Sequence, residues 1–170
     1  MDDRHYATSG TIGVAAALIF FSATLLSVPL HLFEGLVPTP FLPLVLIFLY
    51  GLDRPSSLPP LVTFLGGLYL DLLLGTAIGP WAVVFLLVHA SVLSQRSYFV
   101  GRDSVVLTTG FVIALIGALI VYWAAMSVIS ARPMPAWPLV YQGIVTVVAF
   151  PAVLFLFRRT IARQSVSLAA

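Results

Sequence analysis

Residues 66–81 read "GGLYLDLLLGTAIGPW" and hold one charged side chain, Asp71. Everything around it is apolar or small. Gly67, Asp71 and Gly75 recur every four residues, and Gly79 extends the count past the expected helix end. Positions four apart share a helix face. The stretch therefore reads as a greasy helix with one small, polar stripe, running into a break at "GTAIGP". What a carboxylate does in such a helix depends on the solvent around it, which the rest of the chain defines.

The chain has 170 residues, 61% hydrophobic and only 8% charged, with a mean hydropathy of +1.11. Soluble domains average about 25% charged residues. Eight basic and six acidic residues cannot cover the surface of an 18.3 kDa globule. The bilayer is the natural solvent for such a chain. The expected fold is all-α: a polytopic membrane protein with six transmembrane helices in one bundle, residues 1–170 forming a single domain. The chain has no cysteine, which excludes disulfides and thiolate metal sites.

A spanning helix needs about 20 apolar residues. Six segments qualify as candidates: 11–30, 37–52, 58–75, 80–94, 104–130 and 138–157. Proline- and glycine-rich breaks separate them, notably "DRPSSLPP" and "ARPMPAWP". Pro59, Pro60, Pro80 and Pro138 fall at helix starts, where a missing N–H is harmless. The first segment is too long in its apolar run for a cleaved signal. The second is short, and Pro38, Pro40 and Pro43 crowd its start.

Cytoplasmic loops are enriched in basic residues. With six spans and a cytoplasmic N-terminus, Arg4, Arg54, Arg96, Arg102, Arg158, Arg159 and Arg163 fall inside and only Arg132 outside. Five spans with the N-terminus outside would move only Arg4. The expectation is six spans, both termini in the cytoplasm.

On this topology Asp71 lies in the outer half of the bilayer. An aspartate there costs roughly 2.5–3.5 kcal/mol at mid-helix, less toward an interface. It therefore faces the bundle, a partner or water. Three uses stay open: setting helix packing, holding a partner protein, or serving a ligand or proton. With no basic residue in any span, the carboxyl is expected to be protonated, bonded to serine, threonine, tyrosine or backbone donors, or exposed to water near the outer surface. In the neutral form it would act as a hydrogen-bond donor at a helix contact, and Asp71→Asn would be mild. His89 reads as a packing residue. Gln142 and Thr146, one turn apart, read as an interhelical hydrogen-bonding face. Gly110, Ala114, Gly117 and Ala118 mark a small-residue packing face, and Tyr122, Trp123 and Trp137 read as interfacial anchors.

No metal-ligand cluster, nucleophile elbow or catalytic carboxylate pair is legible, nor a phosphate loop. A metal-dependent lipid-headgroup transferase would need several aspartates on adjacent turns.

Residues 43–87, "PLVLIFLYGLDRPSSLPPLVTFLGGLYLDLLLGTAIGPWAVVFLL", resemble the rod shape-determining protein MreD family. An apolar helix ending in a tyrosine precedes an "RPS" turn, here Arg54, Pro55 and Ser56. A "G-L-x-x-D-x-x-x-G-x-x-x-G" signature follows, here Gly67, Leu68, Asp71, Gly75 and Gly79. The resemblance covers about a quarter of the chain. It implies a non-enzymatic, cofactor-free scaffold of the bacterial inner membrane that supports cell elongation and side-wall peptidoglycan synthesis. The implied direct partner is the bitopic protein MreC. RodA glycosyltransferase, its penicillin-binding transpeptidase and MreB belong to the wider complex, with membrane lipid around it and no nucleic acid. Gly67, Asp71, Gly75 and Gly79 form the candidate partner or packing interface, with Arg54 and Pro55 as the cytoplasmic turn. The fold implied is similar to that of substrate-binding subunits of energy-coupling-factor vitamin transporters. Such a subunit is the alternative function, but it needs polar and aromatic groups on its outer loops, and the "GTAIG" loop offers only Thr76.

Overall fold

The computed structural model describes residues 9–27, 39–99 and 101–167, with side chains to residue 159 of the last helix. Among them the chain is helical throughout: α1 (Ser9–Ser27), α2 (Leu42–Asp53), a short 3₁₀ turn (Pro55–Ser57), α3 (Pro60–Leu74), α4 (Pro80–Phe99), α5 (Ser104–Ile129) and α6 (Trp137–Ser167). Four stretches are long and apolar enough to cross a membrane: Gly10–Ser27, Pro80–Phe99, Ser104–Ile129 and Trp137–Arg159. Their outer faces stay apolar: Val83, Leu87, Ile113, Ile120 and Val148 are all exposed. In lipid such faces need no cover.

The start of the second expected segment differs. Residues 37 and 38 lie outside the described residues, and α2 begins only at Leu42. Its 12 residues rise roughly 18 Å at 1.5 Å each, short of a hydrocarbon core of about 30 Å. This helix is buried at the centre of the bundle rather than lipid-facing. Leu44, Val45, Ile47, Phe48 and Leu49 are all buried, and α1, α4, α5 and α6 surround it. Phe48 meets Phe99, Phe111 and Phe150 edge-on.

The backbone just before α2 is not helical, so its polar groups need partners from elsewhere. Two residues of α6 supply them. Phe41 N–H donates to Thr146 Oγ1 at 2.8 Å, and Gln142 Nε2 donates to the Thr39 carbonyl at 3.4 Å. The Thr146 hydroxyl passes its own proton to the Gln142 carbonyl at 2.6 Å. The polar pair of α6 thus serves an interrupted chain, not a side chain on another helix.

Two more boundaries move. Helix α4 continues past residue 94 to Phe99, and Arg96 in this extension donates from Nε to the Leu52 carbonyl at 2.8 Å. That bond satisfies one of the orphan carbonyls at the end of α2. Helix α6 runs beyond residue 157 to Ser167, with Pro151 inside it.

Direction is readable from side-chain neighbours. A Cβ at Gly66 would meet Ile19, and Tyr69 packs on Phe20 and shares a 3.0 Å hydrogen bond with Thr24. Rising numbers on α3 meet rising numbers on α1, so the two run the same way. Helix α2, linked to α3 by one tight turn, runs the opposite way and packs on α1 and α4.

Candidate functional site

The turn from α3 into α4 gathers Gly67, Asp71, Gly75 and Gly79 of the glycine–aspartate signature. Helix α3 ends because Gly75 adopts φ +61°, the left-handed region that glycine enters without a Cβ penalty. Thr76 N–H donates to the Asp71 carbonyl at 3.2 Å and Gly75 N–H to the Leu72 carbonyl at 3.3 Å. This is the paired 6→1 and 5→2 pattern of a Schellman motif. Gly79, at φ +120°, is the residue before α4. Its carbonyl accepts the first helical bond, from Val83 N–H at 2.9 Å. Pro80 fills the first helical position, where its missing N–H costs nothing.

A glycine cannot cap a helix with its own side chain. Asp71 does so from the preceding helix. One carboxylate oxygen, Oδ2, accepts from Gly79 N–H at 2.9 Å. The other, Oδ1, accepts from Trp81 N–H at 3.2 Å and from the Thr76 hydroxyl at 3.5 Å. The side chain is 0% exposed. An acceptor at a helix N-terminus meets both unpaired N–H groups and the positive end of the helix dipole. Every hydrogen bond of the Asp71 oxygens is an acceptance, so of the expected alternatives the structure takes bonding to threonine and backbone donors, as a cap, rather than donation from a neutral carboxyl.

Gly67 explains the start of the stripe. A Cβ there would lie 2.5 Å from Ala82 Cα and 2.6 Å from the Trp81 carbonyl oxygen. These are backbone atoms that cannot swing away. Gly67 is the price-free contact that lets the first turn of α4 come within reach of Asp71. The four positions form one device: Gly67 admits α4, Asp71 caps it, Gly75 ends α3 and Gly79 turns the chain.

Rings fasten the same corner. Trp81 stacks on Tyr122 with centroids 4.0 Å apart and meets Phe41 in a tilted contact at 4.4 Å. Tyr122 is therefore buried rather than an interfacial anchor. Trp123 donates from Nε1 to the Met134 carbonyl at 2.7 Å, and Trp137 is exposed. His89 is buried among Gly51 and Val92, with neither ring nitrogen hydrogen-bonded. It therefore makes no ring-nitrogen hydrogen bond to Asp71.

At the opposite end, Arg54 precedes the 3₁₀ turn and Pro55 is its first residue. Arg54 N–H closes α2 on the Tyr50 carbonyl at 2.9 Å, and Ser57 N–H returns to the Arg54 carbonyl at 2.9 Å. The small-residue face of α5 splits in use. Gly110 lies under the Phe99 ring, whereas Gly117 has open space. With Ala114 and Ala118 they line an apolar groove of about 340 Å³ between α4 and α5.

The fold and this corner define an all-helical membrane protein. No protein-family model, no curated protein and no solved structure matches the chain. Among the described residues no three His, Cys, Asp or Glu side chains converge as a metal site would require.

Proposed function

We propose that the chain is a membrane scaffold of the bacterial cell-elongation machinery, acting in the manner of MreD in the cytoplasmic membrane. It binds the bitopic protein MreC and through it supports side-wall peptidoglycan synthesis. The observation that carries this reading is the α3–α4 corner. Gly67, Asp71, Gly75 and Gly79, the glycines and aspartate of the resemblance, are used to fix one hairpin, with the Asp71 carboxylate spent on backbone amides at 2.9 and 3.2 Å. A rigid surface suits a protein whose task is to hold another.

The parallel run of α1 and α3 supports six crossings of the bundle axis and two cytoplasmic termini. In this topology Arg54, Arg96, Arg102, Arg158 and Arg159 share one end, beside anionic headgroups.

The test is affinity purification from native membranes with the tag at Ala170, followed by identification of the retained proteins. MreC is the expected partner. Capture of a transporter ATPase pair would replace the scaffold with a vitamin-binding subunit.

A further inference from the structure

We draw no further inference here: the strongest candidate, the apolar groove of about 340 Å³ between α4 and α5 lined by Gly110, Ala114 and Gly117, carries nothing because nothing in the structure shows what covers it.

Discussion

Replacing Asp71 by Asn tests the capping geometry most directly. The carboxylate offers two acceptor oxygens, to Gly79 N–H at 2.9 Å and Trp81 N–H at 3.2 Å. Asparagine keeps one acceptor and turns an NH2 group toward the other amide. One buried donor then loses its partner, at a cost of roughly 1–3 kcal/mol. Leucine removes both acceptors and should cost roughly 2–5 kcal/mol on the same basis. Leucine also spares the charge in the bilayer, so insertion and membrane abundance should not fall. The expected order of stability in detergent is therefore wild type, then Asn, then Leu. Amide exchange reports the same event locally. At tenfold per 1.4 kcal/mol, Asp71→Asn should speed exchange at Gly79 and Trp81 by roughly 5- to 100-fold and leave the middle of α5 unchanged. Wild-type protection at both amides in Asp71→Asn would refute the capping argument and restore a mild role for the carboxyl. If the reading of the chain as a scaffold is right, Asp71→Leu should also weaken retention of MreC and rod-shape complementation at normal abundance.

Gly67→Ala should lower the thermal midpoint, since its Cβ would meet α4 backbone at 2.5–2.6 Å and overpacking costs roughly 1–3 kcal/mol; Gly117→Ala, facing open space, is the neutral control. Thr146→Val should destabilise by roughly 1–3 kcal/mol by stranding the Phe41 amide, and Thr146→Ser should restore most of the loss. A thermal midpoint of Thr146→Val equal to wild type would mean the amide finds another partner. Reporter fusions at Met1 and Ala170 should both give cytoplasmic signals; an external signal at Met1 would exclude the six-crossing topology.

The sequence by itself determined the solvent and the building material. With 61% hydrophobic and 8% charged residues, burial in lipid follows from composition, because transfer energy adds along the chain. The breaks at "DRPSSLPP" and "GTAIGP" were equally legible, because proline and glycine act on their own backbone. The pattern at Gly67, Asp71, Gly75 and Gly79 also marked the important corner. Its use was not legible. Whether the carboxyl stays protonated and donates, or ionises and accepts from backbone donors, depends on what faces it, and the amides at Gly79 and Trp81 face Asp71 only after Gly75 turns the chain left-handed. The burial of α2 was hidden for a related reason. A short apolar run reads alike whether lipid or protein surrounds it. Only the packing of α1, α4, α5 and α6 around it decides between them. Likewise Gln142 and Thr146 reach the backbone at Thr39 and Phe41 across more than a hundred residues. Such a bond satisfies a polar group that local structure leaves open, and no local pattern can encode which distant side chain arrives to do so.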